Sequence, residues 1–294
     1  MADRHLFRRF VIYPLQALGV AVLYEFFRVL PVDTASAFAG WLGRMIGRRL
    51  GITRRAERNL ERALPELDAA ARTAIVEEMW DNLGRTVGEL PHLARIVSAR
   101  LELAGEEHIL PARDPEKPCI VISGHFANWE TLPPVSARIG VPCVPVYRAA
   151  NNPLVDRMLR RARGLEESDV APKGREGARR AVAALREGRS LGMLLDQKMN
   201  DGIAVPFFGR DAMTATAAAQ LSRKYGTPMV PARIERLEGC RFRITFLPAI
   251  SLENSGDPGR DIETAMRSVN MLFEGWIRER PSQWLWLHSR WPDT

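Results

Sequence analysis

The stretch Ile122–Glu130, ISGHFANWE, carries the clearest chemistry in the chain: His125 and, five residues on, Glu130. A neutral imidazole can take a proton from an attacking hydroxyl. A carboxylate on its other ring nitrogen fixes the tautomer and stabilises the imidazolium. On one regular helix, five residues is about 500°, so the two side chains would not share a face. They converge if His125 lies in a turn and Glu130 in the first turns of the helix after it. The local pattern supplies that geometry. The apolar run Cys119–Ser123 (CIVIS) reads as a buried strand, Gly124 frees the backbone, and His125 follows where a helix would begin. Ligands of open α/β sheets bind at the carboxyl ends of strands. His125 and Glu130 do not read as zinc ligands, because no third His or Cys lies near and HxxxxE is not the HExxH spacing. No GxSxG elbow or phosphate-binding loop occurs, so serine-hydrolase and nucleotide readings lack support.

The elements that would position this motif follow from periodicity. From Ala56 to Arg100 the pattern is helical, with Ile75, Met79, Leu83 and Val87 recurring every four residues. After Pro111 it changes to short apolar runs: Cys119–Ser123, Cys143–Tyr147, Leu191–Leu195, Pro228–Ile234 and Phe242–Ile250. Helical stretches lie between them at Pro153–Arg163, Gly174–Arg186 and Ala215–Lys224. Strands alternating with helices predict an α/β fold: a mixed, largely parallel sheet flanked by helices. Ile262, Met266, Val269, Phe273 and Trp276 mark one face of a long helix near the end of the sequence.

With 294 residues, 46% hydrophobic and 26% charged, the chain can bury one large core and is not a polytopic membrane protein. Only four of the 42 basic residues are lysine, and the formal net charge is +7. Arginine suits bidentate contact with phosphate and carboxylate. A basic surface fits nucleic acid, an anionic membrane or an acidic carrier protein, and the absence of zinc-finger spacing or an aromatic-basic strand motif argues against nucleic acid. The three cysteines are too few and too scattered for a disulfide framework, and Cys119 and Cys143 read as small buried hydrophobes.

Val11–Leu30 (VIYPLQALGVAVLYEFFRVL) is mostly apolar, with Glu25 and Arg28 interrupting it and Arg4, Arg8 and Arg9 before it. Roughly 20 apolar residues cross a bilayer, so the segment reads as a retained anchor, an amphipathic helix packed on the core, or a helix lying in the interface. Arg44, Arg48, Arg49, Arg54, Arg55 and Arg58 make the following stretch more basic than the residues before it, which keeps the main domain in the cytoplasm.

Four motifs together resemble the lipid A biosynthesis acyltransferase family, the late lauroyl and myristoyl transferases of Gram-negative bacteria. They are GHFANWE at 124–130, VYRAANNP at 146–153, LLDQKMNDGIAVPFFGR at 194–210 and PSQWLWLHSRW at 281–291. The more distant glycerolipid acyltransferases carry HxxxxD, and Glu130 favours the lipid A branch. The resemblance implies an N-terminal membrane-anchoring helix at 1–31 and an acyltransferase domain at 32–294, helical to 110 and α/β from 111. It implies transfer from an acyl carrier protein thioester to a hydroxyl of a lipid A precursor at the inner membrane, with no metal, no cofactor and no nucleic acid. Another glycolipid or a lysophospholipid is the alternative acceptor. In this resemblance His125 matches the base and Glu130 its partner. Arg148 matches an arginine that would bind a phosphate or the developing oxyanion. Asp196, closing an apolar run at another expected strand end, matches the family's Asp-Gln position and would contact substrate or serve only the structure. Asn128 and Trp129 complete the motif and would shape the pocket or serve as cap and packing. Phe207 and Phe208 match a loop that would line the acyl channel or tuck onto the core.

Overall fold

The computed structural model describes residues 7–172 and 174–291; Arg4 lies outside them. Arg8–Ile12 forms a π-helical turn that runs into helix α1, Tyr13–Val29. The helical run Arg8–Val29 is long and apolar enough to cross a membrane. Its two interrupting charges neutralise each other, since Arg28 donates to Glu25 at 3.0 Å. Pro31 stops the helix by forcing Leu30 into an extended conformation.

A helical layer follows, made of α2 (Val32–Gly47), α3 (Thr53–Ala63), α4 (Ala69–Glu89) and α5 (Leu93–Ala99). On α4 the buried face is Val76, Met79, Trp80, Asn82 and Thr86. Val87, expected in the apolar stripe, is exposed, because the interior side of this helix is shared with polar groups that support the site.

Among the described residues, seven strands form one sheet in the order β1-β9-β8-β2-β5-β3-β4. They are β1 (Leu101–Ala104), β2 (Ile120–Ser123), β3 (Cys143–Tyr147), β4 (Ala171–Pro172), β5 (Ser190–Leu194), β8 (Met229–Arg236) and β9 (Phe242–Phe246). All neighbours are parallel except β8 and β9. The sheet is therefore mixed and largely parallel, as the alternating pattern predicts. A separate antiparallel hairpin joins β6 (Ile203–Phe207) to β7 (Arg210–Thr214).

Strand β2 is buried on both faces, which is why it reads as an unbroken apolar run. Ile120 and Ile122 join one core with α10 (Pro258–Glu279), α9 (Ala217–Tyr225) and α8 (Arg175–Arg186). Val121 joins a second core, with α5 and with Val135 of α6 (Leu132–Arg138). One further helix, α7 (Pro153–Ala162), follows β3.

Candidate active site

Strand β2 ends at Ser123, and the chain turns sharply to present His125. Gly124 is required there. A Cβ on it would lie 2.6 Å from the Phe126 ring and 3.1 Å from the Asp196 carboxylate. Ala127 has φ +46°, a left-handed conformation that alanine rarely adopts. The turn is held from three sides. Asn82 Nδ2 and Thr86 Oγ1 donate to the Ala127 carbonyl at 3.0 and 3.1 Å, and the Ala127 N–H donates to the Gln283 carbonyl at 2.8 Å.

Asp196 follows the end of β5, beside β2 in the sheet, so two strand ends deliver an imidazole and a carboxylate to one point. Its Oδ1 lies 2.8 Å from His125 Nδ1, and its Oδ2 accepts the His125 backbone N–H at 2.8 Å. The Trp284 indole N–H donates to the same Oδ2 at 2.8 Å. Burial alone would raise the Asp196 pKa. The nearby His125, its hydrogen bond and the further influence of His288 outweigh this and hold the carboxyl well below the usual carboxylate range. An ionised acceptor on Nδ1 places the ring proton there and leaves the Nε2 lone pair for chemistry. Gln197 Nε2 lies 3.2 Å from that nitrogen and 3.1 Å from Nε2 of His288. One amide carries two N–H bonds, so it can serve both rings.

Glu130 differs from the expectation of a partner on His125. It lies in the 3-10 turn Trp129–Thr131, where Arg163 holds it with both Nε and Nη2, the latter at 2.8 Å from Oε1. The Trp129 indole N–H donates to Oε1 at 3.0 Å. The physical reason is reach: Asp196 already occupies Nδ1, and the turn aims Glu130 at the end of α7. Burial opposes the charge on Arg163, but Glu130 more than offsets it and pushes the guanidinium pKa up.

Asn128 is fully buried, away from the cavity. It caps the turn through the Glu130 N–H at 3.2 Å and donates to Glu89 Oε2 at 2.8 Å. Glu89 is paired in turn with Arg236 at 2.5 Å, in a buried network that also takes in Asn82 and Ser36. A half-satisfied network here would be costly, so the turn rests on a stiff polar base.

His125 lines a cavity of about 450 Å³, within the ~300–1,000 Å³ common for ligand sites. Val121, Cys143 and Gly192 line it from the sheet, and Leu132, Val135 and Ile139 from α6 and its end. The polar part includes His125, Glu130, Arg148, Arg163, Gln197 and His288, with Ser136 and Tyr147. Trp129 lines it with its ring edge-on to His125, centroids 5.0 Å apart. Arg148 is exposed and stands at the rim. Burial, and then neighbouring Cys119, push the Cys143 thiol far above its usual range, so it offers no thiolate.

Phe207 and Phe208 do not line this cavity. Phe207 is fully buried, stacked on Trp291 at 5.5 Å, and Phe208 packs beside it. They lock the hairpin to the tail Gln283–Trp291. That tail reaches the reacting turn, since the Leu285 N–H donates to the His125 carbonyl at 3.1 Å. Trp284, Gln197, His288 and Arg163 stand at the site, and periodicity did not mark them. The first three lie within the quoted motifs, whereas Arg163 is one arginine among many.

A histidine–aspartate pair next to a largely apolar cavity, with a second charged pair beside it, suits transfer of a long hydrocarbon acyl group. Residues 4–293 match the family model for bacterial lipid A biosynthesis acyltransferases, and the chain belongs to that family. It is 27% identical to the lipid A biosynthesis lauroyltransferase of Escherichia coli (strain K12), over 95% of this chain and 91% of that one. It is 26% identical to the lipid A biosynthesis palmitoleoyltransferase of the same organism, over 80% and 77%. A lipid A biosynthesis acyltransferase of Haemophilus influenzae is 26% identical over 80% and 76%.

Proposed function

We propose that the protein transfers a fatty acyl group from an acyl carrier protein thioester to a hydroxyl of a lipid A precursor, at the cytoplasmic face of the inner membrane. Residues 1–31 serve as the anchor and 32–294 as the acyltransferase domain. The observation that supports this most is the His125–Asp196 pair at an apolar cavity, in a chain of this family.

In this reading the acceptor hydroxyl takes the place of Gln197 at His125 Nε2. The imidazole removes its proton as the oxygen attacks the thioester carbonyl carbon. A C–O bond forms, the tetrahedral intermediate collapses, the C–S bond breaks, and His125 returns the proton to the leaving sulfur. Asp196 stays ionised and stabilises the imidazolium. Arg163, fixed by Glu130, supplies positive charge for the developing oxyanion. Glu130 thus acts beside the base and not on it. Arg148, at the rim, meets a phosphate of the acceptor. Trp129 packs on the base, and the acyl chain lies between the sheet and α6.

The test is mass spectrometry of the precursor after incubation with purified enzyme and acyl carrier protein thioester. A mass gain of one acyl chain is expected. No gain with this acceptor, together with acylation of a lysophospholipid, would overturn the reading.

A further inference from the structure

Helix α2 is built the wrong way round for a helix in water. Its inward stripe is Ala35, Ala39, Gly40 and Gly47, all buried, while Gly43 between them is half-buried. This stripe lies so close to α4 that side chains do not fit between the backbones. A Cβ on Gly43 would lie 2.3 Å from the Trp80 carbonyl oxygen, and one on Gly84 of α4 would lie 2.2 Å from that of Ala39. The bulky apolar residues point outward instead. Trp41 and Ile46 are each 53% exposed, with Phe38 at 38%, and Leu50 and Ile52 at 44% and 40% just beyond the helix. Small residues inside and large apolar ones outside is the pattern of helices whose outer medium is lipid. A contiguous apolar patch on a soluble surface marks an interaction site.

The patch continues the outer face of α1. Phe26 of α1 meets Phe38 edge-on at 6.0 Å, and Phe38 stacks on Trp41 at 5.8 Å. Helix α1 is itself fastened along the domain, not only at its end. The Tyr13 carbonyl accepts from Asn152 Nδ2 at 2.8 Å, and the Phe27 carbonyl lies 2.9 Å from His92 Nε2. Between and beyond the last patch residues come exposed Arg48, Arg49, Arg54 and Arg58. Arg48 reaches Glu77 only at 3.4 Å and is half exposed, leaving it available to headgroups.

We propose that the outward face of α2 and the segment to Ile52 form a second membrane contact. Phe38, Trp41, Ile46, Leu50 and Ile52 enter the headgroup and acyl boundary of an anionic phospholipid bilayer. The arginines between and beyond them lie on its lipid phosphates. This rests on the reading of α1 as a membrane helix and adds what that reading does not contain: the domain is held against one leaflet at two places. The acceptor's route from the bilayer to the cavity is then fixed in orientation.

The experiment is photolabelling of the full chain in vesicles of phosphatidylethanolamine and phosphatidylglycerol that carry a diazirine on an acyl chain, with adducts mapped by mass spectrometry. Peptides from Tyr13–Val29 and from 38–52 should be labelled to comparable yield, with the solvent-facing helix Arg175–Arg186 at background. In a Trp41→Asp, Ile46→Asp variant the 38–52 label should fall to background while the α1 label stays. Label on α1 with none on 38–52 in the wild type would overturn the inference and leave the α1 reading standing. Absence of label on 38–52, with the wild type dimeric and the Trp41→Asp, Ile46→Asp variant monomeric by analytical ultracentrifugation in detergent, would overturn it in favour of a dimer face. Label on neither segment would remove both readings.

Discussion

The Asp196 Oδ1 atom lies 2.8 Å from His125 Nδ1, across 71 residues of chain. Two neighbouring parallel strands, β2 and β5, end at the same level, with Ser123 in register with Leu194. The pair is therefore a product of the sheet and not of a local motif. A third donor, the Trp284 indole, fixes the remaining oxygen.

Replacing Asp196 with Asn keeps the shape and removes the charge. In a serine protease, losing the carboxylate that orients the histidine base lowers turnover by about 10⁴-fold. A loss of at least two orders of magnitude is expected here, read as product formed per unit of folded enzyme. The same substitution has a pH signature. The Asp196 pKa is depressed below its ordinary value of 3.8 in the fold. Its stabilisation is therefore fully present above that value and is lost as pH falls through and below it. Melting temperatures of wild type and Asp196→Asn should differ most at neutral pH and converge in acid. A gap that widened in acid would contradict the assignment.

Glu130 and Arg163 should behave as one unit. Glu130→Gln leaves a mostly buried guanidinium without its counter-ion, at a cost of about 3 kcal/mol. Glu130→Gln and Arg163→Met should each lower activity strongly, and the double variant should lose much less than the two losses combined. Additive losses in a double-mutant cycle would show that Glu130 acts independently of Arg163.

Gly192 of β5 lines the cavity, and a Cβ there would lie 3.3 Å from the Cys143 sulfur. Gly192→Val should fill part of the space between the sheet and α6. Donor competition, read as the ratio of kcat/KM for longer and shorter acyl chains, should move toward the shorter chain. An unchanged ratio would place the chain elsewhere.

If the donor is the acidic carrier protein of the proposed reaction, it should dock near α7. Arg160 is mostly buried and paired with Asp156 at 3.1 Å, so it has little to offer a partner. Arg157 and Arg161 are exposed on the same helix, which leads to Arg163 at the cavity. Charge reversal at both should raise KM for the carrier protein with little change in kcat. Rising salt should weaken the wild type toward the same value. Equal salt sensitivity with a small acyl thioester would count against carrier docking there.

Periodicity predicted five of the seven sheet strands and three of the helices between them, α7, α8 and α9, but not the short α6. Strand β1, LELA, is broken by the exposed Glu102 and is not an apolar run, and β4 has only two residues. The hairpin was hidden for a different reason. Its turn, Phe208-Gly209, has both residues at positive φ, at +51° and +68°. Such turns usually announce themselves as Asn-Gly or Asp-Gly, and phenylalanine in the first position gives no signal. His125 was readable as chemistry because it follows an apolar strand run, Glu130 because of its spacing from His125, and Asp196 because of its place at another strand end and the family resemblance. Their pairing was not, since which carboxylate reaches Nδ1 depends on strand order. The buried Glu89–Arg236 support was unreadable because a charged residue in a helix and another in a strand look like surface positions until the fold joins them.

The most direct measurement of the central claim is single-turnover acyl transfer by His125→Ala, with circular dichroism and melting temperature to establish that it is folded. General bases contribute roughly 10² to 10⁴ in rate, so transfer should slow by at least that lower bound while the fold persists. A folded His125→Ala protein that transfers acyl groups at the wild-type rate would contradict the account.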